Sequence, residues 1–233
     1  MRFLVDHFTN VRGEIAQRRI EVMNFWAGVR TWEVPPPAPQ PFNFKAGKGL
    51  VVVYSYGLLE FSVTKLVAQL TQLIKLNKVR AKDYIPSIRA LVHEPKIQSI
   101  MSTSEKKGLK QRLALYEEIY QKSECAISDA VLSSQMQNVW AVSLENIFMV
   151  FGIKESPFFD RDFGSKVDRL VDDRNAVAHG RESPERVGER YTSPEVDKLI
   201  MEVDQQVSYV ASCMSQYYDG REFVAPPWRH RYP

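Results

Sequence analysis

Arg174, Asn175 and His179 stand close together in the chain and offer a permanent cation, an amide and an imidazole that titrates near neutrality. Projected at about 100° per residue over residues 165–179, Leu170, Val171 and Ala178 fall within about 60° of Val167, forming a buried stripe. Arg174 falls about 20° from the centre of that stripe. A guanidinium there is costly unless something anionic meets it. Asp168, Asp172, Asn175 and His179 line the adjoining flank, where Asn175 and His179, one turn apart, can meet. These are the parts needed to cut a phosphodiester beside a ribose hydroxyl without a metal. Arginine pairs two phosphate oxygens and offsets the charge that builds in the transition state. Histidine takes the 2′-hydroxyl proton or protonates the leaving oxygen.

The same residues admit plainer roles. His179 before Gly180 also fits a cation at a helix C-terminus, favoured by the macrodipole. Arg174 fits an internal ion pair with Glu60 or Glu145, and Asn175 a bond to nearby backbone. Glu60 follows Tyr56 by one turn, as a carboxylate bonded to a tyrosine or arginine or as a group that tunes His179 or Arg174. His7, His93 and His230 read as surface or edge residues. Lys106, Lys107, Lys110 and Arg112 fit a solvated helix face or a track for RNA phosphates. The end around Trp228, Arg229, His230 and Arg231 mixes aromatic and basic groups, as RNA-binding tails do, or is a disordered or partner-docked end.

The elements that must hold these residues are helices. The 233 residues are 44% apolar and 25% charged, the composition of an ordinary globular domain large enough to fold without a disulfide or metal. Cys125 and Cys213 make no framework and no metal-binding spacing, which predicts no cofactor and a reducing, cytoplasmic setting. The longest apolar run, residues 50–59, is too short to span a bilayer, and Asp6 and His7 interrupt any signal peptide. A net charge of +3 permits nucleic acid as a partner without arguing for it.

Apolar spacing predicts helices over residues 2–30, 46–77, 81–93, 104–123, 138–151, 165–179 and 195–218. The third is expected to stop before Pro95. Ser165 would cap the sixth, with Gly180 as its stop signal, and Pro194 would open the last. No window alternates at period two, and no Gly-rich phosphate loop, HExxH or GxSxG occurs. The expectation is an all-α bundle of six to seven helices: one domain over residues 1–220, a stiff Pro-rich connector at 34–43, and an irregular tail at 221–233.

Arg174-Asn175-Ala176-Val177-Ala178-His179-Gly180 resembles the RNxxxHG form of the R-x4–6-H motif of the HEPN superfamily (higher eukaryotes and prokaryotes nucleotide-binding). The likeness extends to Phe8 and Arg12 to Ile15, one residue short of an FxxxRxxEI pattern, and to Tyr56 and Glu60 in Tyr-x3-Glu, as in stand-alone prokaryotic toxins and defence ribonucleases. It implies a homodimer with facing motifs that cleaves single-stranded RNA without metal, leaving cyclic phosphate and 5′-hydroxyl ends, controlled in some members by an antitoxin or sensor. It also implies Arg174 as phosphate binder, His179 as acid/base and Asn175 as the residue orienting them. Where some members carry a tyrosine two residues after the histidine, this chain has Arg181, and Tyr191 is the expected substitute. The alternatives are a HEPN-like subunit that binds RNA or nucleotide without cleaving it, and a helical adaptor.

Overall fold

The computed structural model describes residues 6–120, 124–128, 131–132 and 136–232, with the side chains of 105–107 outside that description. The chain folds as an all-α bundle, and no strand occurs among the described residues. In chain order the helices are α1 (Thr9–Arg30), α2 (Phe42–Leu76), α3 (Pro86–Met101), α4 (Glu105–Ile119), α5 (Ala141–Phe151), α6 (Phe163–Ala178), α7 (Pro184–Glu189) and α8 (Ser193–Asp219). A 3-10 turn at Ala81–Asp83 and a 3-10 helix at Pro226–Arg231 complete the set.

α2 is the axis around which α1, α6, α7 and α8 pack. Pro39 and Pro41 keep the preceding segment extended, and α2 starts at Phe42, earlier than the apolar spacing predicts. Leu59, Val63, Leu66, Leu70 and Ile74 recur at helical spacing and are fully buried, so hydrophobic burial fixes its rotation. By length and composition α2 could cross a membrane, with a mean hydropathy of 1.5, yet 56% of its most apolar window is buried inside the bundle. That is the position of a core helix. The Phe8–Ile15 pattern docks α1 on this axis: Phe8 and Ile15 are buried, while Glu14 pairs with Lys65 of α2 at 2.7 Å.

α7 lies so close to α2 that there is no room for side chains between them. A Cβ on Gly49 would sit 1.9 Å from Pro184 O, and one on Gly188 1.9 Å from Lys45 O. Two glycines therefore allow backbone-to-backbone approach. Sequence periodicity missed α7 because six residues are too few to show a period.

Three other expectations are corrected. α3 runs through Pro95 to Met101, because burial of Ile88, Leu91 and His93 outweighs the one backbone bond that proline removes. His93 is consequently buried and not at the surface, and desolvation lowers its pKa. The tail is not irregular. Phe223 and Val224 are fully buried, Ile85 N–H donates to Phe223 O at 3.1 Å, and residues 226–231 coil into the 3-10 helix. Basic residues 106 and 107 of the predicted cluster lie outside the described side chains, while Lys110 and Arg112 are exposed.

Candidate active site

α6 carries the candidate residues, and both its ends are defined by local chemistry. Asp162, not Ser165, occupies the N-cap position; Ser165 Oγ donates to Asp162 O at 2.8 Å. At the other end Gly180 takes a left-handed φ of 67°, and Arg181 and Glu182 both donate backbone N–H groups to Ala176 O at 2.8 and 3.1 Å. This closes orphan carbonyls of the last turn and fixes where the chain goes after His179. The buried stripe consists of Phe163, Val167, Leu170, Val171, Asp173 and Ala176. Ala178, expected in that stripe, is exposed, while Ala176 two residues before it is buried.

Arg174 is half-buried. Its Nη1 donates to Asn175 Oδ1 at 2.8 Å and to Asn138 Oδ1 at 3.1 Å, and its Cζ lies 5.6 Å from the centroid of the Tyr56 ring. Among the described residues no carboxylate comes within ion-pair distance of it, so the pairing with Glu60 or Glu145 does not form. Glu60 instead accepts from Tyr56 OH at 2.8 Å and from Asn138 N–H at 3.2 Å. Tyr56 OH also accepts the Val139 N–H at 2.9 Å. Burial, reinforced by the bond to Glu60, raises the Tyr56 pKa, so its phenol stays protonated and donating.

Glu60 and Tyr56 thus hold the 138–139 segment, and that segment holds Arg174. Asn138 is the residue that sequence reasoning missed. It stands outside α5, with a left-handed φ of 53° that asparagine tolerates better than most residues. Its type was the available signal. Asp168 Oδ1 accepts the Ala141 N–H at 2.8 Å, which satisfies a free donor at the start of α5 and locks that helix to α6.

His179 is the C-cap of α6, its N–H bonded to Asn175 O at 3.1 Å and its imidazole exposed one turn beyond Asn175. The structure therefore brings Arg174, Asn175, Asn138, Tyr56 and Glu60 together, with His179 at the rim. Asp172 and Tyr191 are not in this group. Asp172 is exposed and lines a shallow concavity with Arg181, Glu182 and Arg190. Tyr191 is buried and donates its hydroxyl to Asp173 Oδ2 at 2.7 Å, so it does not take the place of a tyrosine beside His179.

Asp173 organises the opposite side of the helix. It is buried, accepts from Arg190 Nη1 at 2.7 Å, and Arg190 also bonds Glu182. Tyr191 returns to α2, where its carbonyl accepts from the buried Lys48 ammonium. Among the described residues no group of His, Cys, Asp and Glu is arranged to hold a metal ion. Cys125 and Cys213 are free thiols.

Chemically, Arg174 is a cation positioned by neutral acceptors. Its Nη2 and Nε carry no hydrogen bond among the described residues, which leaves donors suited to two oxygens of an anion. A family model described as RiboL-PSP-HEPN matches residues 37–215, a span that includes α2 through most of α8. No curated protein and no solved structure matched the chain.

Proposed function

The chain belongs to the RiboL-PSP-HEPN family, and from that premise we propose that it is a metal-independent endoribonuclease acting on single-stranded RNA. One observation carries the reading: Arg174 is a half-buried guanidinium held by amides and an aromatic face, with its charge not cancelled by any carboxylate of the described chain. Such a group costs free energy in the empty protein and recovers it on meeting a phosphate.

In this mechanism Arg174 holds the scissile phosphate through two oxygens. Asn175 keeps the guanidinium plane fixed. His179 takes the proton from the 2′-hydroxyl, whose oxygen attacks the adjacent phosphorus. The bond to the 5′-oxygen breaks, that oxygen takes a proton from the imidazolium of the second copy's His179, and the products are a 2′,3′-cyclic phosphate and a 5′-hydroxyl. Glu60 and Tyr56 act as positioning residues through Asn138. A second copy related by a two-fold axis supplies the other Arg174–His179 set, which makes the working enzyme a homodimer with a composite cleft. The biological setting is a cytoplasmic toxin–antitoxin or antiphage system, with a cognate antitoxin or sensor as regulator.

The second reading, a subunit that binds RNA or nucleotide without cleaving it, is favoured by the His179 side chain, which has no orienting hydrogen bond among the described residues. Mixed RNA incubated in EDTA with the wild type and with an Arg174→Ala, His179→Ala variant separates the two. Cleavage by the wild type alone supports the ribonuclease. RNA bound but intact with both proteins overturns it in favour of the binding subunit.

A further inference from the structure

The C-terminal corner gathers five cations, Arg80, Lys82, Arg89, Arg229 and Arg231, of which Arg231 alone reaches a carboxylate among the described residues. Residues 79–85 run between two neighbours: Val79 O accepts the Cys125 N–H at 3.1 Å, and Asp83 O accepts the Ala225 N–H at 2.8 Å. The 3-10 helix Pro226–Arg231 lies along this segment, with Trp228 against Lys82, Arg231 near Asp83, and Tyr232 just beyond it bonded to the Arg80 N–H. Trp228 holds two of the cations against its ring, Arg231 Cζ at 4.1 Å and Lys82 Nζ at 5.6 Å from the centroid. Arg89 Nη2 donates to Lys82 O at 2.9 Å and Tyr84 O at 3.0 Å, and Arg229 Nε to Val224 O at 3.0 Å. Tyr232 OH accepts the Arg80 N–H at 3.2 Å and donates to Asp83 Oδ2 at 2.7 Å.

The nearby carboxylates do little to balance this charge. Asp83 is fully buried, engaged by Tyr232, and 4.0 Å from Arg231. Glu124 bridges Arg80 through backbone, and Glu222 sits half-buried before Phe223. Among the described residues, Arg80, Lys82, Arg89 and Arg229 have no carboxylate within ion-pair distance. The whole chain carries a net charge of only +3, so this corner is a concentrated positive field on a nearly balanced molecule.

We propose that this corner is a docking surface for the sugar-phosphate backbone of single-stranded RNA, separate from the Arg174 cluster. The inference rests on the ribonuclease reading for the identity of the polymer. Lys82, Arg89, Arg229 and Arg231 are already held by ring or backbone contacts, so little of their side-chain freedom is lost when phosphates bind. Lys82 and Arg231 pack on the Trp228 ring in place of a base, so recognition is of charge and not of sequence. From Glu60 to Leu76 the α2 axis covers roughly 25 Å by helix rise, so a strand held here extends toward the Arg174 cluster without filling it.

The test uses the full chain, EDTA and a 2′-O-methyl strand of about 16 nucleotides, which has no 2′-hydroxyl to attack and spans a typical single-strand site. Fluorescence anisotropy over a potassium chloride series gives affinity and its salt slope. An Arg80→Gln, Lys82→Gln variant is expected to bind roughly tenfold more weakly at low salt and to lose about 1.4 from the slope, some 0.7 per cation. It should cleave an RNA of about four nucleotides at the wild-type rate, because such a strand reaches only one site. If circular dichroism shows the double variant misfolded, Arg231→Gln carries the test, with a slope loss of about 0.7. Unchanged affinity and slope, or a wild type that does not bind the strand, overturns the proposal. A wild type that binds through this corner yet cleaves no RNA supports the proposal and sinks the ribonuclease reading alone.

Discussion

Asp173 and Arg174 are neighbours on one helix, about 100° apart around its axis, and the bundle treats their charges in opposite ways. Asp173 is buried and fully matched: Arg190 and Tyr191 both bond it, and Glu182 takes the other arm of Arg190. Arg174 is half-buried and unmatched, held by Asn138, Asn175 and the face of Tyr56. A neutralised network of this kind stabilises one arrangement of the α6–α7 turn and has nothing to offer a ligand. A cation oriented by neutral acceptors contributes little to the fold and keeps its field for an incoming anion. The two sides of α6 thus differ: one fixes the α6–α7 turn, and the other leaves a cation open to an anion.

The division makes its strongest claim on the Asp173 side, where α7 is pinned to α2. Gly188→Ala would place a Cβ 1.9 Å from Lys45 O and 2.7 Å from Gly49 N, against backbone that cannot rotate away. The expected loss is about 3 kcal/mol or more, read as a lower urea midpoint. An unchanged midpoint would mean that α7 is not held by backbone contact and that the back of α6 lacks its anchor.

Asp173→Ala comes next. It strands the buried Tyr191 hydroxyl and leaves Arg190 with Glu182 alone. Since the Arg190 side chain is 40% exposed and can rehydrate, the cost falls below that of breaking a fully buried pair, at about 2–3 kcal/mol. Asp173→Asn should recover part of it. A stability loss below that of Arg174→Gln would erase the contrast between the two faces.

How much of this was legible in the sequence depended on whether a residue's role is periodic. The helical bundle was, since α2, α5, α6 and α8 announce themselves by apolar spacing. The same angular reading set Arg174 near the middle of the apolar stripe, where the structure has it half-buried. The Tyr56–Glu60 contact was legible too, since it needs only one turn of helix. The misses are of another kind. Asn138 acts from a non-helical segment, and the partners of Asp173, Arg190 and Tyr191, stand just after α7, at a distance in the chain that no period reports. Phe223 and Val224 are two apolar residues, too few to carry a period, yet both are fully buried, Phe223 against Tyr217 and Tyr218 and Val224 paired with Tyr84. Pro95 shows the reverse error: a local stop signal overruled by tertiary packing.

Gly180→Ala probes the join between the two sides. No atom lies within 4 Å of the added Cβ, so the only penalty is the left-handed φ of 67°. About 1–2 kcal/mol of stability should go, with a larger fractional loss in RNA cleavage as His179 shifts with the turn. Equal wild-type activity at reduced stability would show that the turn does not position the imidazole.

Arg174→Gln is expected to change stability least. The glutamine amide can still donate to Asn138 or Asn175, and what disappears is a cation–π contact of about 0.5–1 kcal/mol together with the cost of a half-buried, unmatched charge. These nearly cancel, so the thermal midpoint should move by less than about 1 kcal/mol equivalent, in either direction. Cleavage of RNA should nevertheless fall on the order of 10²–10³-fold, because a neutral amide cannot match charge growing on a phosphate. A loss of stability as large as that of Asp173→Ala would mean that Arg174 is a structural residue and that the front of α6, like its back, belongs to the fold.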